Sequence, residues 1–211
     1  MEGIEYGFWN KKESARQIDN SLSLKQTHSD ICLYAKDNEL HGAEGDALVT
    51  DQIGLTLCVK TADCVPVLIF GSKKDGCKIV AAVHAGWRGA YSGVLQNMVS
   101  KMKELDDGIY ELRAFIGPSI QQKSYEVGEE FYNRFLEQSE SNVCFFKHGK
   151  ERYCFDLPGY CAAILAEKGV KPINISPIDT YQDDRFYSFR HSQHKNYEEK
   201  ERNISWIRIK A

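Results

Sequence analysis

Three side chains of metal-ligating or nucleophilic type stand in segments of this 211-residue chain that do not read as ordinary core. His28 lies in Gln26-Thr27-His28-Ser29-Asp30. Cys64 lies in Lys60-Thr61-Ala62-Asp63-Cys64-Val65-Pro66, and His84 in Val83-His84-Ala85-Gly86-Trp87-Arg88-Gly89. Together they would form a Cys-plus-two-His set, which catalytic zinc accepts with a fourth position left open. Their separations of 36 and 20 residues carry no signal, unlike a Cys-x-x-Cys pair, so the fold would have to assemble them. Taken singly, each has a plainer reading: Cys64 as a structural thiol, His84 as a hydrogen-bonded core histidine, His28 as a surface residue. Arg88 follows a tight turn after a strand. Its guanidinium fork suits phosphate or carboxylate, and a helix N-terminus following Gly89 would favour an anion. A fourth segment, Phe115 to Ile120 continuing to Tyr125-Glu126-Val127-Gly128, is turn chemistry that shapes a loop and could offer amides to a substrate.

The elements that must position these residues are legible as apolar runs. Ala47–Thr50, Leu55–Lys60, Val65–Phe70 and Lys78–Val83 read as strands, and the short connections between them favour hairpins. Pro66 suggests a bend or an edge position. Tyr91, Val94, Leu95, Met98, Met102 and Leu105 share one face of a helix over 90–105. A second helix starts at an Asp156 cap with Pro158 in its first turn, buries Leu157, Tyr160, Cys161, Ile164 and Leu165, and ends at Gly169. A weaker helix spans 128–137, with further strands near 112–116 and 171–177. The polar stretch 193–202 reads as a solvated loop before a last strand, 203–210. The fold class expected is α+β with layered helices and strands: one domain over 1–211, built on a mixed, largely antiparallel sheet.

Composition bounds the function. The net charge is −3, and 42% of residues are hydrophobic and 27% charged. This excludes disorder and argues against nucleic-acid binding driven by bulk charge. The longest apolar run, Val65–Phe70, is too short for a bilayer, and residues 1–6 lack the features of a secretory signal. No membrane association and a cytoplasmic location are therefore expected. Seven cysteines without Cys-x-x-Cys spacing read mostly as small buried hydrophobes.

Taken together, these segments resemble the family variously called multicopper polyphenol oxidases, laccase-domain proteins and YfiH-type purine nucleoside phosphorylases. The matching residues are Gln26-Thr27-His28, Asp46–Thr50, Thr61-Ala62-Asp63-Cys64-Val65-Pro66-Val67, His84–Gly89, Ile116–Ile120, Tyr125–Gly128 and Phe186–Arg190, in the family's order. The resemblance implies a fold similar to the deamidase domain of cytotoxic necrotizing factor. It implies a metal site, zinc with copper as the alternative, on His28, Cys64 and His84. The implied activities are phosphorolysis of adenosine, inosine, guanosine and methylthioadenosine, and deamination of adenosine, so the partners expected are nucleosides and phosphate. Cys64 and Asp63 are then the candidate catalytic residues, Asp63 as a proton shuttle in deamination, and Arg88 and Gln26 the candidate phosphate or substrate binders. The chain departs from the family pattern at Lys123-Ser124, where a Cys pair is common, at Asp179-Thr180 for Cys-Thr, and at Ser29 for Gly.

Three other readings stay open on the same residues. Cys64 and His84 could form a nucleophile–base pair of an amidase or hydrolase acting in peptidoglycan editing. A copper-dependent polyphenol oxidase would commonly want an axial Met, and only Met1, Met98 and Met102 are available. A metal-stabilised binding domain would lose its fold, rather than an activity, with its metal. The oligomeric state is left open.

Overall fold

Val65–Ser72 and Lys78–Ala85 are near-continuous apolar runs because each is buried on both faces. A computed structural model describes residues 3–106, 108–149 and 151–210. In chain order the first elements are β1 (Ile4–Trp9), β2 (Ser21–Ser23), β3 (Cys32–Tyr34), β4 (Ala47–Thr50), β5 (Thr56–Thr61), β6 (Val65–Ser72), β7 (Lys78–Ala85), α1 (Trp87–Ser92) and α2 (Val94–Leu105). There follow β8 (Tyr110–Ile116), β9 (Glu126–Val127), α3 (Glu129–Gln138), β10 (Phe146–His148), β11 (Tyr153–Phe155), α4 (Leu157–Glu167), β12 (Ile173–Ile175), α5 (Phe189–Lys195) and β13 (Asn203–Ile209).

The main sheet has the order β12-β8-β6-β7-β4-β3, antiparallel at its centre and parallel at both edge pairs. A second sheet has the order β1-β13-β5-β2, and a small third one β10-β11-β9. Successive residues of the central strands point to two cores. Val67, Ile69, Ala81 and Val83 pack with Met98 and Met102 of α2 and Leu165 of α4. Leu68, Phe70, Val80 and Ala82 pack with Leu57, Val59, Ile207 and Ile209 of the second sheet. Each large aliphatic side chain buried this way contributes about 1.5–3 kcal/mol, so both faces of β6 and β7 are held firmly. The mixed α+β architecture expected from the sequence is the one found.

Several expectations change. β4 and β5 do not form a hairpin: β4 pairs with β7 and β3, whereas β5 crosses to the second sheet to pair with β13 and β2. Both strands are almost wholly buried, so their apolar pattern could not say which sheet each joins. Pro66 lies in a central strand, not at an edge. Its missing N–H is harmless because pairing between β6 and β8 begins at Val67. The helix expected over 90–105 starts earlier and is broken at Gly93, which adopts φ 107° and both ends α1 and begins α2. Residues 193–195 of the expected polar loop are the last part of α5. All seven cysteines are free, but Cys77 and Cys144 are exposed, not packed. Among the described residues, no helix is long and apolar enough to cross a membrane.

Candidate functional site

His84 closes β7, Cys64 sits in the turn between β5 and β6, and His28 lies in the loop between β2 and β3. The fold brings the three together: one potential ligand atom from each lies within 4.8 Å of the others. Cys64 Sγ is 3.7 Å from His28 Nε2, and the two imidazoles meet edge to face with centroids 4.8 Å apart. His28 adopts φ 61° and Asp63, next to the thiol, φ 85°. Non-glycine residues in the left-handed region are strained and persist only where their surroundings over-determine them.

For His28 that surrounding is Asp46, fully buried at the start of β4. Its Oδ1 accepts from His28 N–H at 3.0 Å and lies 2.7 Å from His84 Nδ1. Its Oδ2 accepts from the N–H groups of Thr27 (3.1 Å) and Ser29 (2.6 Å) and from the Ser29 hydroxyl (2.7 Å). One carboxylate thus shapes the His28 loop and orients His84 so that Nε2 is the nitrogen left for a ligand. Burial pushes this carboxyl up, but the hydrogen bonds from His84 and Ser29 outweigh it and hold it well below the usual carboxylate range. Burial likewise opposes charge on His84, yet the Cys64 and Asp46 charges raise it to about 9. Burial would raise the Cys64 thiol, but the His84 charge and the hydrogen bonds of both histidines bring it down to about 6. These neighbours favour the Cys64 thiolate, the form that binds metal or attacks carbon. Cys32 and Cys58, by contrast, are pushed up to about 12 by burial.

This donor set fits a borderline cation such as zinc, with thiolate and imidazole ligands and a carboxylate behind one imidazole. The backbone approaches closely on one side. A Cβ built on Gly86 would lie 2.5 Å from His28 Cδ2 and 3.1 Å from Cys64 Sγ. Gly86→Ala is expected to weaken zinc binding about ten-fold or more by displacing the His28 ring, with circular dichroism unchanged. Competition with a chromogenic chelator measures it.

The other anticipated residues are placed as follows. Asp63 is buried, and its carboxylate accepts from the Thr180 hydroxyl (2.7 Å) and from the Arg190 N–H at the start of α5 (2.6 Å). Burial raises its carboxyl despite these bonds. The Gln26 amide pairs at both ends with the backbone of Lys60, donating at 2.7 Å and accepting at 2.8 Å. Arg88 stacks on Trp87, 4.4 Å from the ring centroid. The helix there begins at Trp87 and has only six residues, so the Arg88 side chain, not a long helix's amides, is its cationic feature. Ser124 and Asp179, two departures from the resembled pattern, meet: the Ser124 hydroxyl donates to Asp179 Oδ2 at 2.7 Å. Asp46, Phe189 and Arg190 lie in the resembled motifs, but residue type alone assigns them no role there. The available signal for Asp46 was an acid opening an apolar strand, a position that requires a partner when buried.

A cleft of about 230 Å³ opens beside His28 and Cys64, walled by Trp87, Tyr125, Leu157, Phe189 and Arg190. Phe189 is 50% exposed at its mouth, and Arg190 lies over Tyr125 while donating to Glu126 O.

Residues 9–210 match the model of the family described as multi-copper polyphenol oxidoreductase laccase. A Rickettsia conorii protein named purine nucleoside phosphorylase is 40% identical over 176 residues, covering 82% of this chain and 71% of its own length. A Rickettsia prowazekii protein of the same name is 38% identical over 192 residues, 90% of this chain and 78% of its own. A solved Neisseria meningitidis structure superposes with a TM-score of 0.77 at 30% identity, covering 90% of this chain and 75% of that one.

Proposed function

Because the chain belongs to the multi-copper polyphenol oxidoreductase laccase family, we propose that it is a zinc-dependent purine nucleoside phosphorylase of the kind its relatives' names describe. Its substrates are adenosine, inosine, guanosine and methylthioadenosine, and adenosine deamination is a second activity of the same pocket. The observation that carries this reading is the convergence of His28, Cys64 and His84, with His28 and Cys64 facing a cleft lined by aromatic and cationic side chains. Seven free thiols support a reducing, cytoplasmic setting.

His28, Cys64 and His84 would hold the ion, and when bound it would supply Lewis-acid polarisation of an oxygen nucleophile. Met98 and Met102 are fully buried in the core under α2, which supports zinc over a copper site with an axial thioether. Tyr125 and Phe189 offer ring faces to a purine. Arg88 and Arg190 bring positive charge to the phosphate and to the sugar hydroxyls. Asp63 fixes the backbone that carries Phe189 and Arg190. To act as a proton shuttle as well, it must release Thr180 or use its remaining lone pairs. Gln26 acts on substrate through Lys60, whose backbone it holds.

The low thiol pKa beside an imidazole supports a second reading, a Cys–His amidase. Zinc-loaded and chelator-treated protein, incubated with inosine and phosphate, separate the two. The phosphorylase should release hypoxanthine and ribose 1-phosphate, and lose at least a hundred-fold in rate on metal removal. Chelator-resistant hydrolysis of an amide that stops on thiol alkylation would favour the amidase.

A further inference from the structure

The cleft beside His28, Cys64 and Arg88 adjoins a second one. This second cleft, of about 530 Å³, shares His28, Ala62, Cys64, Arg88 and Phe189 with the first, and adds His84, Lys60 and Arg202. No carboxylate lines it. Some surface cations of this chain are neutralised by acids, as in Lys25–Glu44, Arg185–Asp183 and Arg208–Glu5. Among the described residues, Lys60, Arg88 and Arg202 have no carboxylate partner. Two of them are nevertheless held. Gln26 clamps the Lys60 backbone at both ends. The Arg202 Nη1 donates to the carbonyls of Glu199 (2.9 Å) and Glu201 (2.8 Å), fixing the guanidinium and leaving its other nitrogens without a protein partner among the described residues. Three unpaired cations around one concavity, two of them anchored through backbone, form a site for a small dianion.

We propose that this second cleft binds inorganic phosphate through Lys60, Arg88 and Arg202, while the aromatic cleft binds the nucleobase. The ribose anomeric carbon would then lie where the two clefts meet. The assignment rests on the phosphorylase reading and deepens it. In phosphorolysis the bond from C1′ to the base nitrogen breaks with its electron pair leaving on the base. A phosphate oxygen forms the new bond to C1′, and the proton of hydrogenphosphate ends on the departing base. Nothing is oxidised or reduced. An in-line approach requires phosphate and base on opposite sides of the sugar, and two adjoining clefts that meet at shared residues leave room for one on either side of it.

The test uses zinc-loaded Lys60→Ala, Arg202→Ala and the double variant, with the distant Lys147→Ala as control. Calorimetric titration with inorganic phosphate reads binding directly, and steady-state kinetics read the KM for phosphate and for inosine separately. The double variant should bind phosphate at least ten-fold more weakly and show a matching rise in phosphate KM. Its inosine KM should stay within about two-fold and its zinc content at the wild-type level. Unchanged phosphate affinity in the double variant overturns the assignment. Phosphate binding that depends on Lys60 and Arg202, in a wild-type protein that turns over no nucleoside, upholds the anion cleft and overturns the phosphorylase reading instead.

Discussion

Cys64→Ala should purify with little or no metal and lose at least a hundred-fold in phosphorolysis rate. Four-ligand structural zinc sites gain about 10–16 kcal/mol in total. Losing one of three protein ligands therefore costs on the order of 3–4 kcal/mol, roughly two to three decades in affinity. The fold should survive, because Cys64 is only half-buried and alanine removes no hydrogen bond on which the backbone depends. Elemental analysis and a nucleoside assay on the same preparation check both effects. Undiminished turnover by metal-free Cys64→Ala protein would remove the metal, and the thiolate with it, from the mechanism.

The second large effect is expected at a residue that touches neither substrate nor metal. Asp46→Asn keeps the size of the side chain but turns one acceptor oxygen into a donor. Whichever way the amide is flipped, its NH2 faces N–H groups: His28 and His84 on one side, Thr27 and Ser29 on the other. Opposed donors in a fully buried site should cost about 2–4 kcal/mol, lowering the melting temperature by about 5–10 °C in a chain of this length. Zinc affinity should fall a further 10–100-fold because His84 loses its orienting carboxylate. Melting curves of metal-free protein separate the first effect from the second. A variant with wild-type melting and wild-type affinity would show that the His28 loop is held by other contacts.

The three candidate ligands are nameable from sequence because each stands in a local pattern that ordinary core does not need, such as a histidine ending an apolar strand ahead of Ala85-Gly86. Their convergence was not legible in spacing, because contacts 36 and 20 residues apart are set by sheet order. Sheet order was the least legible part. β4 and β5 are both apolar and short, and five intervening residues were compatible with a hairpin, yet they lie in different sheets. Asp46 escaped assignment for the opposite reason. Its type is common at a strand start, and only the loop wrapped over it shows that one carboxylate serves several donors. Arg202 sat in a stretch read as solvated loop, and its role depends on a cleft wall contributed by residues more than a hundred positions earlier.

The position of β13 in the second sheet has a consequence for how the molecule is made. It pairs with β1 on one side and β5 on the other, although it follows every other strand in sequence. Among the described residues β1 pairs with β13 alone, so during synthesis it waits for a segment far along the chain. The His28, Asp46, Cys64 and His84 constellation lies within the first 84 residues and can gather earlier, leaving a nascent metal centre beside two unpaired strand edges. Such edges invite pairing with other chains. The second sheet therefore closes only once β13 joins β1 to β5, and chaperone demand should be concentrated in the interval before it does.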